Sequence, residues 1–266
     1  MSNFTYATLL STNSYVPGVK VLYRSLHKYG KTKFPFICVC SQNIEKQYIE
    51  ELENDGIHCV CLNHSALDGI SISGQLESFK HWNYTFDKLL LWEMTEYDKI
   101  IFLDSDMIVM EPIDELFEKN AMSAVQAGRL MNPDWIRLNS GLIVIEPSLE
   151  MFQKLISSIN PTIEERLAQG EGFGDQDVIN YCCPEWPLDE SLHMDERYNM
   201  FSWYVSDYYK KGFKGRPKII HFAGTPKPWM EPNIIQFIRN VIKYYLHNRL
   251  CLKAYIAYKM LLFGIR

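Results

Sequence analysis

No stretch of this chain reaches the ~18 uncharged apolar residues that a membrane-spanning helix needs, which argues against an integral helical membrane protein. Neither G-x-G-x-x-G nor G-x-x-x-x-G-K occurs, so a glycine-rich phosphate cradle is missing. Any nucleotide bound here would need a metal to take much of its phosphate charge. Positive charge is in deficit: 27 Lys and Arg face 32 Asp and Glu, a net −5, and a general nucleic-acid binder is not expected. The opening residues MSNFTYATLL have neither a basic n-region nor an A-x-A site and read as a first strand, not a signal peptide. No internal repeat and no low-complexity linker divides the chain, so one compact domain is expected for the bulk of it. The seven cysteines are odd in number, in a chain too long to need disulfide staples, and a reduced, cytoplasmic setting is expected. Cys38 with Cys40, and Cys59 with Cys61, share faces of two expected strands. Four such thiols could hold zinc, but structural zinc sites favour C-x-x-C knuckles. Buried free thiols packing as small hydrophobes are the better reading.

What is present is an alternation. FTYATLL is apolar and β-branched; from Pro17 the period turns helical, with Val19, Leu22 and Leu26 on one face and Gly30 as the stop. FPFICVC is a second strand, residues 44–54 a polar helix with Ile49 and Leu52 inward, and IHCVCLN a third strand. Residues 63–80 read as a polar loop near the site, 86–97 as helical, and KIIFLD as a fourth strand. Further on, 141–145 reads as a strand and 149–158 as a helix. This β-α-β order implies an α/β fold with a mostly parallel sheet and right-handed crossovers.

Two aspartates, Asp104 and Asp106, flank Ser105 where the fourth strand ends. In extended backbone, residues i and i+2 point the same way, so both carboxylates project into the crevice where open α/β sheets bind ligands. Converging carboxylates repel unless a cation lies between them. A bare D-x-D is equally well a turn that uses aspartates as local acceptors. The distant segment Lys218-Ile-Ile-His-Phe-Ala-Gly-Thr-Pro-Lys-Pro-Trp229 supplies a second short strand, then a metal-capable His221, Gly224 and Lys227.

The stretches TLLSTNSYVPG, TFDKLLLWEMTEYDKIIFLDSDMIV, LNSGLIVIEPS, FGDQDVIN and HFAGTPKPW together resemble glycosyltransferase family 8, most of all its glycogenin and galactinol synthase members. The resemblance covers roughly residues 5–230 in the family's order. It implies a GT-A type nucleotide-sugar transferase fold and Mn2+-dependent transfer of a hexose from a UDP-sugar to a hydroxyl acceptor (glycan, tyrosine or polyol) with retention. Residues 1–231 would form the transferase domain. By the same resemblance Asp104, Asp106 and His221 are the metal ligands, with one imidazole among oxygens tilting selection from magnesium to manganese. Leu9, Ser11, Thr12 and Tyr15 would hold the nucleoside, Tyr15 by stacking on uracil; Thr12 stands where glycogenin has Asn. Lys88 would reach the sugar nucleotide, and Lys80 only loosely replaces an upstream arginine of glycogenin. Asn139 and Ser140 would meet the donor's hydroxyls, and Asp175 and Gln176 would lie near the anomeric carbon. Asp177, two residues on in the helix, is expected to point elsewhere. Gly224 would let the backbone approach a phosphate on which Lys227 places its charge. Gly172 and Phe173 stand where glycogenin has a further Asp, so acceptor handling is expected to differ. Ser206 falls at the place of the self-glucosylated tyrosine, with Tyr204, Tyr208 and Tyr209 nearby, so self-glucosylation is not inherited through the match. A homodimer is compatible with the resemblance.

Residues 232–266 differ from the rest. They carry six Lys and Arg and no Asp or Glu, which leaves −5 − 6 = −11 on the remainder. Ile234, Ile238, Val241 and Tyr245, then Leu252, Ile256 and Leu261 after a break near Asn248, recur at helical intervals. The preferred expectation is a helix pair docked on the body with its basic side out. The alternative is an interfacial helix drawn to anionic lipid, placing the protein at a membrane surface.

Overall fold

The run of buried β-branched and aliphatic side chains at the start of the chain, beginning at β1 (Phe4–Leu10), seeds a central sheet. The computed structural model describes residues 2–70, 72–75, 77–230 and 233–265. After β1 come α1 (Val16–Lys28), β2 (Phe36–Cys40), α2 (Lys46–Asn54) and β3 (His58–Cys61). Two 3-10 helices, Glu77–Tyr84 and Phe86–Glu93, occupy the stretch before β4 (Lys99–Leu103) and β5 (Met107–Val109). Then follow β6 (Ala124–Val125), β7 (Asn139–Ile145), α3 (Leu149–Ser157), α4 (Ile159–Ala168), α5 (Asp175–Cys182), β8 (His193–Met194), β9 (Met200–Phe201), α6 (Val205–Lys210) and β10 (Ile219–His221). Helices α7 (Ile234–His247) and α8 (Arg249–Leu262) close the described chain.

Among the described residues, seven strands pair in the order β3-β2-β1-β4-β7-β6-β8. The first four are parallel, as β-α-β alternation dictates, whereas β7 runs antiparallel to both β4 and β6. Helices α1 and α2 bury Val19, Leu22, Leu26 and Leu52 on one face of the sheet. The 3-10 helix carrying Leu89 to Trp92 covers the other face together with α3, α4 and α5. The expected helix over 86–97 is therefore a tighter 3-10 turn that stops at Glu93.

A second sheet, β5-β10-β9, matters more for function. β10 pairs antiparallel with β5, and the register sets His221 opposite Met107, the residue after the acidic turn. Phe222 N–H then donates to the Asp106 carbonyl at 3.0 Å. Pairing of two three-residue strands thus brings together positions more than a hundred residues apart.

All seven cysteines are free; Cys38, Cys40 and Cys59 gather their sulfurs within 4.8 Å of one another, while Cys61 is exposed outside that group. The tail forms two helices that break at Asn248, which caps α8 by accepting from Leu250 N–H. Helix α8 buries Cys251, Ala254, Tyr258 and Leu261 in a third core with Val21, Ile220 and Phe222. The basic side chains Arg239 and Lys243 of α7 are exposed, but so are Ile234, Ile238 and Tyr245 of the apolar stripe that a docked helix would turn inward. The inward contacts are made instead by Phe237 and Tyr244, whose rings meet Tyr255 at 5.9 Å and 4.9 Å. Periodicity reveals a stripe but not the side on which it faces its partner. The boundary at 231/232 lies outside the described residues.

Candidate active site

The carboxyl ends of β1 and β4, the starts of β7 and α5, and the loop after β10 converge on a cavity of roughly 1030 Å3. That is the size of a ligand cleft. At its base, the ligand atoms of Asp104, Asp106 and His221 all lie within 4.8 Å of one another. His221 Nε2 is 3.0 Å from Asp106 Oδ1 and 3.8 Å from Asp104 Oδ2. The three ligands expected of a metal centre are therefore assembled.

The protonation of His221 follows from a chain of amides. Gly141 N–H can only donate, and it donates to Asn139 Oδ1 at 3.1 Å. Asn139 Oδ1 also accepts from Asn199 Nδ2 at 2.7 Å, which turns the Asn199 carbonyl oxygen toward His221 Nδ1 at 2.8 Å. A carbonyl only accepts, so Nδ1 carries a proton and Nε2 is the nitrogen turned to Asp106 Oδ1. That Oδ1 is buried and has no hydrogen-bond donor. Two acceptors 3.0 Å apart need a cation between them or a second proton on the ring. Two carboxylates and one imidazole nitrogen, oriented by a partner on the ring's other nitrogen, make a donor set that suits a divalent ion.

The same polarity runs the other way. Ser140 N–H and Asn139 Nδ2 both donate to Gln176 Oε1, at 3.2 Å and 3.0 Å. Ser140 Oγ donates to Asp175 Oδ2 at 2.7 Å. Buried Lys88 reaches Asp175 at 2.7 Å and Asp104 at 3.2 Å, linking the two acidic centres. Burial opposes the charge on Lys88, but Asp104 and Asp175 outweigh it and raise its pKa. On the opposite wall, Lys227 Nζ lies 2.5 Å from Asp106 Oδ2 and donates to the carbonyls of Phe222 and Ala223.

These surroundings push the paired aspartates apart. For Asp104, burial outweighs Lys88 and, with Asp106 adding to it, raises the carboxyl above its usual value. For Asp106, burial is overcome by His221 and Lys227, and the carboxyl is held well below the usual range.

Leu9, Ser11, Thr12, Tyr15, Ser105, Asn139 and Ser140 all line the cavity, together with Lys88 and Lys227. Tyr15 sits edge-on to Trp229, with ring centroids 5.2 Å apart. Gly224 differs: Ala223 and Thr225 line the cavity on either side, and a Cβ on Gly224 would come within 3.0 Å of the Trp203 ring. Glycine there admits the indole. Lys80 pairs with Glu77 and lines a neighbouring recess of roughly 540 Å3 with Ser11, Asn83 and Asp87. Asp177 accepts from Gly174 N–H at 3.0 Å and lies within 3.6 Å of both Arg166 and Arg137, so it braces the helix start from the cavity's edge.

Sequence reasoning missed several residues. Asn199, fully buried, carries the tautomer of His221 but shows only as one asparagine before a two-residue strand. A Cβ on Gly141 would fall 2.8 Å from His221 Cε1 and 2.9 Å from Asp104 Oδ2; one on Gly18 would fall 2.6 Å from the Ser105 carbonyl. Trp203, half exposed and stacked on Phe201 at 5.0 Å, joins Trp82, Trp135 and Tyr84 at the cavity wall. Each was visible as a residue type, but only the topology gives it a neighbour.

A parallel sheet leading into an acidic turn, beside a second sheet that returns a histidine to it, defines a GT-A type nucleotide-sugar transferase fold. The structure of galactosyltransferase LgtC with donor and acceptor sugar analogues aligns with a TM-score of 0.64 at 16% identity, covering 98% of this chain and 95% of LgtC. The family profile described as Glycosyl transferase family 8 matches residues 7–232, and the chain belongs to that family. It is 29% identical over 236 residues to glycogenin-1 of Mus musculus, covering 86% of this chain and 66% of the mouse protein. It is 28% identical over 232 residues to UDP-glucuronate:xylan alpha-glucuronosyltransferase 1 of Arabidopsis thaliana, covering 85% of this chain and 32% of the plant protein. The chain thus spans just under two thirds of the mouse relative and a third of the plant one.

Proposed function

We propose that this chain transfers a hexose, glucose as the first candidate, from a UDP-sugar to a hydroxyl acceptor with retention of configuration, in the cytoplasm and with Mn2+. The observation that carries this reading is the convergence of His221 Nε2 on Asp106 Oδ1 at 3.0 Å, an oxygen with no hydrogen-bond donor, with Asp104 alongside. Two carboxylates and an imidazole favour manganese over magnesium. The names of the relatives support the donor class, one of them specifying a UDP-sugar.

Asp104, Asp106 and His221 would hold the ion, which when bound neutralises charge on the departing diphosphate. Lys227 is within reach of the same centre, and a phosphate oxygen would replace Asp106 as its partner. Tyr15 and the end of β1 would take the nucleoside. Asp175, gripped by Lys88 and Ser140, and Gln176, gripped by Asn139, are rigidly placed to orient the donor sugar. The acceptor is a glycan, a polyol or a tyrosine of the chain itself. Of the tyrosines near Ser206, Tyr204 lines the cavity, whereas the Tyr208 hydroxyl is taken up by Gly128 N–H and the Tyr209 hydroxyl by the Gly215 carbonyl.

The test is UDP release with Mn2+ across a panel of UDP-hexoses and acceptors, alongside the intact mass of the protein. One UDP-sugar should give turnover that Asp104→Asn abolishes, and a +hexose mass would mark self-transfer. Running the mass assay at two protein concentrations separates transfer within one chain from transfer between two copies. If no donor yields UDP with any acceptor mixture while UDP still binds, the chain is a nucleotide-sugar binder and the transferase reading is wrong.

A further inference from the structure

Helix α7 is amphipathic with its apolar arc turned outward. Ile234, Ile235, Ile238, Ile242, Tyr245 and Leu246 are between 50% and 76% exposed. At one residue per ~100° they occupy an arc of roughly 120° on one side of the helix. Arg239 and Lys243, both exposed, border that arc along one edge. The opposite side is already used, since Phe237 and Tyr244 pack on Tyr255 of α8. A water-facing arc of aliphatic side chains this continuous marks an interaction surface.

Charge selects the occupant. The segment from Pro232 onward has six Lys and Arg and no Asp or Glu, while the remainder carries −11. A second copy packed arc to arc would bring together two segments of like charge, with no acidic residue in either to offset their Lys and Arg. An anionic lipid surface answers both features at once: the arc enters the acyl boundary and the basic edge lies at the headgroups. It would also favour one orientation, because the remainder of the chain carries a net negative charge. We propose that the outward face of α7 docks the protein peripherally on anionic membranes. This surface is independent of the transferase reading; it is α8, beneath α7, that adjoins the site loop, where Trp229 stacks on Tyr258 at 6.1 Å and Lys259 donates to the Pro228 carbonyl.

The experiment is co-sedimentation of the full chain with vesicles of phosphatidylcholine alone and of phosphatidylcholine with one quarter phosphatidylglycerol, at low and high salt. Binding is expected on the anionic vesicles at low salt, with little on neutral ones. Arg239→Gln with Lys243→Gln should lower anionic partitioning about tenfold or more. Ile238→Asn with Ile242→Asn should abolish it, with an unchanged circular-dichroism melt because both side chains are exposed. Absence of binding, or equal binding to both vesicle types, overturns the proposal. So does a dimer in light scattering that the Ile238→Asn, Ile242→Asn variant converts to monomer, since the face would then be a protein interface.

Discussion

Asn199 touches no carboxylate of the cluster, yet its carbonyl decides which nitrogen of His221 faces them. Partners of this kind are worth about 10–100-fold in metal affinity. Asn199→Ala should therefore weaken Mn2+ binding by that factor in calorimetry while leaving the far-ultraviolet spectrum intact; unchanged affinity would show that the amide chain does not set the tautomer. The two aspartates give predictions of opposite sign. Asp104 has a raised carboxyl pKa, so its ionised form costs folding stability at every pH above its unfolded value of 3.8, and protonation relieves that cost as pH falls. Asp106 has a depressed one, so it contributes stability above 3.8 that is lost as pH falls through its folded value. In metal-free protein at pH 7, Asp104→Asn should melt no lower than wild type. Asp106→Asn should lose about 3 kcal/mol, because Lys227 is left buried without its counter-charge. Melts in EDTA would decide both, and equal losses from the two variants would contradict the assignment.

Helix α1 approaches the turn after β4 at a distance that Gly18 sets. In Gly18→Ala the new Cβ would meet the Ser105 carbonyl of the acidic turn, and backbone cannot step aside as a side-chain tip can. A cost of about 1–3 kcal/mol is expected, with a higher KM for the donor as α1 and the β4–β5 turn part. A wild-type KM alongside a lowered melting temperature would confine the glycine's role to packing. Elements are also where the reach of the sequence can be judged. The parallel β3-β2-β1-β4 half was legible because each strand is an apolar run and each helix an amphipathic one between turn residues. That Asp104, Asp106, His221 and Lys227 would come together was legible through the family resemblance of their motifs. The β5–β10 register was not, because two three-residue strands leave no period to read. Asn199, Gly141 and Gly18 owe their roles to that register and to the close approach it imposes, so a one-dimensional reading could not find them. The orientation of α7 was misjudged for a related reason: the stripe is written in the sequence, the partner is not.

Across the molecule, the site is the seam of three cores. Asp104 lies at the end of β4 between the two cores flanking the large sheet, while His221 and the Lys227–Trp229 loop lie against the third core, built with α8. Lys88, Asp104, Asp175 and Ser140 join the first two, and the Asp106–Lys227 and Trp229–Tyr258 contacts join the third. A ligand bound at such a seam stabilises every element that meets there, by about 2.7 kcal/mol at a hundredfold excess over its Kd. For a chain of this size that corresponds to a rise of roughly 5–10 °C in melting temperature. The rise should need Mn2+ and UDP together: UDP in EDTA should give little of it, because no glycine-rich loop is present to hold the diphosphate unaided. Asp104→Asn should lose it. Because α8 buries Tyr258 and Leu261 under the site loop, the tail should melt in the same transition and move with it. Scanning calorimetry reads both at once. An early transition insensitive to ligand would show that the C-terminal helices are energetically separate from the site, and a full shift with UDP in EDTA would show that the acidic cluster does not carry the donor.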